Sequence, residues 1–324
     1  MFRYSSNIQL GSFSFKGGYN SIVIKRSSRD FMDTAVIKLP ALSRVKNKSG
    51  QPASSGKTEK LFKEGDKVLI SLGYNDDNHQ EFAGFIRRVS PSVPTVIECE
   101  GYGWQLRRKQ IGASWKNTTL RQVLEEVVRG TDVTLSPLIP DLPLTNFSII
   151  NLNGLQVLEY LRDKLLLTPF FSLNELYVGL QLGMVKNKVN LRLGWNVIKD
   201  ELKSRLAEET KVLVKIKTGK GKKNERIEYE AGDKDGSVRE IDLPNVQDNS
   251  WVKLIAEDAL AKAKYTGFEG SVTCFLQPFV EPSYEAAVVD KKDDRSGSYF
   301  VIGTELTMDM QGARRKVHIG SKLK

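Results

Sequence analysis

Short apolar alternations separated by turn residues fill the first hundred residues of the chain. Apolar and polar residues alternate over Phe13–Phe15, Ser21–Ile24 and Thr34–Leu39, which is the period of a strand with one buried face. Several short strands at this spacing favour a barrel or a sandwich over a parallel sheet. We therefore predict that residues 1–110 form a first β-barrel.

A hairpin is predicted inside this segment. Asp66–Tyr74 reads as one strand, Asn75–Asn78 as a turn and Glu81–Val89 as the returning strand, with Thr95–Gly101 as a further strand. Before them, residues 43–60 are polar and rich in Gly, Ser and Lys. That composition is typical of a flexible loop inserted between strands.

The period of the apolar residues becomes helical near residue 120. Thr119 and Gln122 have the spacing of a capping box, and Gly130 is well placed to end the helix. A second helix is predicted to stop at Thr168-Pro169, and a third covers residues 251–264. Their apolar stripes are predicted to face the core. The first two stripes consist of Leu120, Val123, Leu124, Val127 and Val128, and of Val157, Leu158, Leu161 and Leu165.

These patterns together predict an α+β, mainly β fold, with two small β-barrel domains and an intervening mixed α/β region. The predicted division is a first barrel over 1–110 with the flexible basic loop 43–60, a mixed domain over 111–205, and a second barrel over 206–324 that includes the helix 251–264. A chain of 324 residues can bury two or three such cores.

The positive charge of the chain is local. The net charge is +10, yet residues 1–63 hold twelve Lys and Arg against three acidic residues. The other 261 residues are nearly neutral, with 37 basic and 36 acidic side chains. Cys99 and Cys274 each lie in an apolar run, which predicts buried reduced thiols. Neither a signal peptide nor an apolar stretch of membrane-spanning length is apparent, so synthesis in a cytosol is expected.

Residues that could carry chemistry are few. His79 and His318 are the two histidines, and neither lies in the sequence context of a nucleophile. The cluster Asp76, Asp77, His79 and Glu81 could ligate a metal, but it is also typical of a solvated hairpin turn. Residues 290–297 lack EF-hand spacing and are interpreted as an exposed loop, and residues 218–223 lack phosphate-loop spacing and are interpreted as a basic hairpin tip. No catalytic, cofactor or metal residue is predicted.

Several stretches, taken in order, resemble the phage late control D family of tail-hub proteins, which also form the N-terminal part of the VgrG spike proteins. The order of these stretches over nearly the whole chain carries the resemblance. They are Phe62–Val68 with Leu72–Tyr74, Phe82–Ile86 with its Phe-x-Gly signature, Glu98–Leu106, Leu158–Gly179, Tyr265–Val272, Gly297–Ile302 and Gly312–Gly320. Gly84 is expected to permit tight curvature or a close strand crossing.

The resemblance implies a structural baseplate hub of a phage tail or a phage-tail-like contractile injection system, not an enzyme, with no cofactor. It implies a homotrimeric ring that joins a hexameric tail tube to a central spike. The implied partners are the tail tube protein, baseplate wedge proteins and a spike, which is expected to be a separate protein because the sequence ends at Lys324. The expected location is a virion tail baseplate or injection particle made in the bacterial cytoplasm, without a membrane span or a specific nucleic acid.

Two other functions stay open on sequence alone, a basic β-barrel that binds nucleic acid and a tail-associated peptidoglycan hydrolase. The basic residues of the segment 43–60 are either a solvated surface or an interface with an acidic neighbour. The interface residues proposed from sequence are Arg44, Lys46, Lys48, Lys57 and Lys60.

Overall fold

The computed structural model describes residues 3–46, 52–185, 187–219, 224–290 and 295–323. Strands dominate these ranges, and helices are few. The prediction of an α+β, mainly β fold is confirmed. Among the described residues, no helix has the length and apolarity needed to cross a membrane.

Within the described residues, the N-terminal third of the chain contains nine strands and one short helix. They are β1 (Tyr4–Leu10), β2 (Phe13–Phe15), β3 (Ser21–Ser27), β4 (Thr34–Leu39), β5 (Leu42–Lys46), β6 (Pro52–Lys57), β7 (Lys67–Tyr74), β8 (Asp77–Ser90), β9 (Thr95–Glu100) and α1 (Gly103–Arg107). A 3-10 turn covers Thr58–Lys60.

The middle of the chain contains helices between its first strands and then a run of strands. Its elements are β10 (Gln110–Thr119), α2 (Leu120–Val128), β11 (Thr134–Leu135), β12 (Pro143–Asn153), α3 (Gly154–Leu165), β13 (Thr168–Ser172), β14 (Glu175–Gly179), β15 (Lys188–Arg192), β16 (Val197–Arg205), β17 (Thr210–Gly219), β18 (Asn224–Gly232) and β19 (Ser237–Leu243). A 3-10 turn lies at Gln181–Met184.

The C-terminal part begins with the longest helix and ends in a long hairpin. Its elements are α4 (Asn249–Ala263), β20 (Gly267–Cys274), β21 (Glu285–Val289), β22 (Gly297–Asp309) and β23 (Gly312–Lys322).

A first β unit curls around one core. Strands β1, β3, β4, β7, β8 and β9 are consecutive neighbours in one sheet and direct their alternate side chains into the same cluster, represented by Ile8, Ile37 and Ile97, which are fully buried. A single sheet whose strands all face one core has to curl around that core, as the sheet of a small barrel does.

A second β unit packs around its own core, which includes Leu191, Val272 and Tyr299. β20 pairs with β16 and with β23, while β21 pairs with β22 and, in parallel, with β15. β15 and β16 lie in the predicted middle domain 111–205, so strand pairing crosses the predicted boundary at residue 205. Between β16 and β20, the chain leaves this unit to form the sheet β18-β17-β19 and helix α4.

The hairpin β22–β23 joins the two β units. Leu306 and Ala313 belong to the first core, whereas Val301 and Val317 belong to the second. β22 also pairs with β3 over Gly303–Asp309. One hairpin therefore contributes side chains to both cores, so the two units cannot move apart without exposing buried apolar surface.

The helices follow the sequence patterns closely. Thr119 and Gln122 form the predicted capping box of α2, and α3 begins with a second one between Asn153 and Gln156. The apolar stripes of the first two helices face the large middle core, and within these two stripes only Val128 is partly buried. α3 ends at Leu165, three residues before the predicted stop, because Leu166 adopts the left-handed conformation with φ of 54°.

Gly84 permits the close strand crossing expected of it. A Cβ at this position would lie 2.1 Å from the backbone oxygen of Glu100 on the neighbouring strand β9. The predicted hairpin of β7 and β8 is also present, but its turn is the two residues Asn75 and Asp76, both with positive φ. That turn is shorter than the predicted one because Asp77 and Asn78 already pair with β7.

Strands occupy part of the segment predicted to be a flexible loop. β5 and β6 pair antiparallel between Leu42 and Lys57, and Thr58 is buried where the chain returns to the first β unit. The sequence did not predict these strands because residues 43–60 lack the apolar alternation of a half-buried strand. A two-stranded hairpin outside the main sheet does not need an apolar face. Residues 47–51 lie outside the described residues.

Candidate functional site

The five residues proposed as an interface from sequence belong to the hairpin β5–β6 and the turn after it. Lys57 and Lys60 are exposed. Arg44 and Lys46 lie on β5, and their side chains are not described, while Lys48 lies outside the described residues. Whether they form an interface stays a prediction.

The residues considered for metal binding point in different directions. Asp76 lies at the surface, 3.3 Å from the guanidinium of Arg3. His79 stacks on the ring of Phe279 at 4.7 Å between centroids. Glu81 is only 2% exposed and forms an ion pair. Across the described ranges, no group of three His, Cys, Asp or Glu side chains could hold a metal ion.

Glu81 corrects the interpretation of this cluster as a solvated turn. Its carboxylate accepts two hydrogen bonds from the guanidinium of Arg315, at 2.7 and 3.1 Å. The side chain of Arg315 is 1% exposed and also donates to the backbone oxygens of Leu276 and Val280. The pair connects β8 of the first β unit to β23 at the border of the second, so it fixes how the units meet.

A second buried ion pair lies in the same region. Arg26 on β3 donates to Asp33 at 3.2 Å and to Glu281 at 2.7 Å. Burial opposes the charge on Arg26, but the two carboxylates raise its pKa above the usual value. Burial raises the pKa of Asp33 to about 6, although Arg26 opposes that shift. We call Arg26, Asp33, Glu81, Glu281 and Arg315 the buried junction.

The connection between β20 and β21, residues 275–284, supplies part of this junction. Leu276 packs in the first core and Val280 in the second. The segment therefore spans both β units, and Phe279 within it lies under the guanidinium of Arg315 at 5.3 Å.

Side chains that alternate with the buried ones lie on the outside of the molecule. Arg314, next to the buried Arg315, lies over the ring of Phe275 at 5.2 Å. Tyr4 contacts Tyr74 with ring centroids 5.3 Å apart, and a Cβ on Gly312 would lie 3.0 Å from the Tyr4 hydroxyl.

Exposed apolar residues follow this edge of the molecule. Met310, in the turn between β22 and β23, is 94% exposed, while Tyr4 and Phe275 are about two-fifths exposed. We call Tyr4, Phe275, Met310 and Arg314 the aromatic rim. Aromatic residues, Met and Arg are enriched in protein interfaces. The rim therefore has the composition of a protein contact surface, and it combines residues of β1, of the tip of the hairpin β22–β23 and of the position after β20.

The sequence contained a signal for the buried junction. In β23, Ala313, Val317 and Ile319 alternate on the buried face, and Arg315 occupies an inward position between them. An inward arginine in a strand requires a buried acid. The sequence does not show which acidic residue pairs with Arg315, since Glu81 is 234 residues away.

The other side chains that could take part in chemistry are buried or half-buried. Cys99 and Cys274 are free and buried, which confirms the predicted reduced thiols, and burial raises the pKa of Cys274 to about 11. Burial also lowers the pKa of His318, which is half-buried. Asp290 corrects the interpretation of 290–297 as an exposed loop, because it is 5% exposed and pairs with Arg295 at 2.7 Å. Residues 291–294 lie outside the described residues, as do residues 220–223 of the predicted basic hairpin tip.

Solved tail proteins share this fold over almost the entire chain. A tail protein from Neisseria meningitidis MC58 matches with a TM-score of 0.70 and 12% identity, covering 98% of this chain and 96% of that one. The 43 kDa tail protein of prophage MuSo2 from Shewanella oneidensis matches with a TM-score of 0.63 and 14% identity, covering 98% of each chain.

A component of a secretion system also has this fold. The Escherichia coli c3393 protein, described as a component of the type VI secretion system, matches with a TM-score of 0.61 and 9% identity, covering 98% of this chain and 77% of that one. Neither a protein-family model nor a curated protein matches the sequence. The predicted resemblance to tail-hub proteins is confirmed at the level of the fold.

Proposed function

We propose that this protein is a structural hub subunit of a phage tail or of a phage-tail-like contractile injection system. The observation that carries the proposal is the fold shared with the Neisseria meningitidis tail protein over 98% of this chain. Because the match covers 98% of this chain, it includes both β units and the region between them.

The proposed assembly is a homotrimeric ring. Each subunit has two β units joined by the hairpin β22–β23, so three subunits would present six units around one axis. Such a ring could meet a hexameric tail tube on one side and a trimeric spike on the other. The buried junction supports this role, since it holds the two units of one subunit in a fixed relation.

The aromatic rim is the surface that we assign to contacts between subunits or with the tube. It combines Tyr4, Phe275 and Met310 with the cation of Arg314. A residue such as Met310, exposed over 94% of its surface, leaves apolar area in water that an interface would cover.

A structural role also agrees with the packing of the few reactive side chains. His79 stacks on Phe279, and both cysteines are buried. The proposed location is the tail baseplate or the injection particle, and the proposed partners are the tube, wedge and spike proteins.

Light scattering after size-exclusion chromatography tests the proposal. The purified chain is expected to form a trimer alone or when a tail tube protein from the same gene cluster is added. Changing Met310→Asp together with Phe275→Ser should shift the trimer to monomer. Ile150→Ser is the matched control, because Ile150 is 76% exposed and lies on β12, outside the rim.

A chain that stays monomeric at every concentration and with the tube protein would contradict the proposal. Tight, salt-sensitive retention on single-stranded DNA would favour the nucleic-acid-binding alternative instead. Release of fragments from peptidoglycan by the purified chain would favour the hydrolase.

A further inference from the structure

A large cleft lies where the two β units and the middle region converge. Its volume is about 850 Å³, which is large enough for a segment of several residues. Its walls come from the end of α3, from α4, from β16 and β20, and from β23. Apolar residues that include Leu167, Pro169 and Ile319 also line it.

Cations outnumber acids in the lining of this cleft. The cations are Arg29, Arg162, Lys203, Arg205, Arg239 and Lys262, and the acids are Asp163, Glu201 and Glu269.

Each of these acids already has a cationic partner. Asp163 pairs with Arg162 at 2.7 Å, Glu269 with Arg205 at 2.9 Å, and Glu201 with Lys316 at 2.6 Å. Lys262 pairs with Asp258 at 2.6 Å, below the cleft.

Three cations in the lining lack an acidic partner within the described part of the chain. They are Arg29 on the first β unit, Lys203 on β16 and Arg239 on β19, and all three are exposed. They come from three regions of the fold, so tertiary structure concentrates positive charge here. Burial, with smaller contributions from the charges of Lys316 and Arg29, lowers the pKa of His318, which also lines the cleft.

One wall of the cleft is an edge strand. Within the described residues, β16 pairs with β20 along its length and with no second strand. Val197 also forms an isolated bridge with Leu193, so the outer backbone edge is open from Lys199 to Arg205. Lys203 and Arg205 lie on the face of β16 that lines the cleft. An open edge can accept an added strand through main-chain hydrogen bonds, and the side chains of that strand then lie beside those of the edge.

We propose that the cleft binds an extended acidic segment of a partner protein, which adds as a strand to β16 and directs its carboxylates toward Lys203, Arg239 and Arg29. The proposal does not depend on the tail role, since it rests only on the charge and edge geometry of this chain.

An acidic peptide fits the site better than a nucleic acid does. Single-stranded nucleic acid binds through bases stacked on open aromatic faces. The phenol ring of Tyr265 is covered on one face by the guanidinium of Arg205 at 4.4 Å. Apolar residues beside the cations favour a segment in which acidic and apolar side chains alternate.

Fluorescence anisotropy on the full chain tests the proposal. The probe is a labelled twelve-residue peptide in which Glu alternates with Val or Thr, and the control peptide carries Gln in place of Glu. The wild-type chain is expected to bind the Glu peptide at least tenfold more tightly than the Gln peptide. Lys203→Glu and Arg239→Glu should each weaken binding of the Glu peptide about tenfold. Lys234→Glu, exposed and outside the cleft, should leave it unchanged.

Hydrogen exchange on the same complex tests the strand addition. Bound peptide should slow exchange of backbone amides in Val197–Arg205, and it should not do so in the edge strand β2. Equal binding of the Gln peptide, equal binding by both charge-reversal variants, no binding up to millimolar peptide, or unchanged exchange in β16 would each overturn the proposal. Stronger binding of an oligothymidylate of equal charge would assign the cleft to nucleic acid instead. Since both substituted residues are exposed, thermal unfolding of each variant should match that of the wild type.

Discussion

The two β units differ in how the chain builds them. The first is formed mainly by residues 4–100, with the hairpin β5–β6 inserted between β4 and β7, and its strands pair antiparallel. The second takes β15 and β16 from before residue 205 and β20 to β23 from after residue 267, and it includes a parallel pair. The first unit was therefore visible as a run of alternations, whereas the second is interrupted by about sixty residues that fold elsewhere. Pairing between strands that are close in sequence can be predicted from the sequence, whereas pairing between strands that are far apart in sequence cannot.

The largest expected effect comes from breaking the link between the units. Glu81→Gln removes the buried partner of Arg315 and leaves its charge without compensation, which should lower the free energy of unfolding by about 3–5 kcal/mol. Glu64→Gln is the control, because the pair of Glu64 and Arg108 is exposed on both sides and should contribute about 0–1 kcal/mol. Denaturant unfolding measures both. Equal small losses in the two variants would show that the buried junction does not hold the units together.

A core substitution in each unit tests whether the units are independent. Ile37→Ala in the first and Leu191→Ala in the second should each lower the free energy of unfolding by about 2–5 kcal/mol, because both side chains are fully buried. Leu42→Ala, at a side chain 73% exposed, should change it by less than about 0.5 kcal/mol.

The shared hairpin β22–β23 predicts that each core variant speeds hydrogen exchange in both units. Exchange measured by mass spectrometry across the whole chain checks this expectation. Faster exchange confined to the substituted unit would mean that the two cores unfold separately.

A smaller effect is expected from pH. Because burial raises the folded-state pKa of Asp33 to about 6, the folded protein binds this proton more tightly than the unfolded chain does. The stabilisation from Asp33 is therefore present below pH 4 and is lost as the pH rises through 6. Asp33→Asn should flatten the dependence of unfolding free energy on pH between 4 and 6, measured by denaturant titration. An unchanged pH profile would show that Arg26 keeps Asp33 ionised throughout.

Much of the fold follows from local pattern. The capping box at Thr119, the three long helices and the strands of the first unit were predicted because each depends on neighbouring residues and on one period. The crossing at Gly84 came from the resemblance to a family and agrees with the 2.1 Å approach of the Glu100 backbone. The hairpin β5–β6 was missed because its strands lack apolar alternation.

The surfaces were far less predictable than the elements. The sequence predicted an interface at the basic residues of 43–60, because they are close together along the chain. The cleft instead gathers Arg29, Lys203 and Arg239 from positions up to 210 residues apart, and no local pattern marks them. The aromatic rim is likewise assembled from the ends of separate strands.

The sequence by itself determined the class of the fold, the identity of most helices and strands, and the local excess of positive charge in the first 63 residues. Those properties depend on side-chain period, on capping residues and on composition. Only the tertiary structure decided that Glu81 is buried against Arg315, that one hairpin contributes to two cores, and that Arg29, Lys203 and Arg239 line one cleft. The physical reason is that burial and pairing depend on contacts between distant segments, and such contacts are set by how the sheets close.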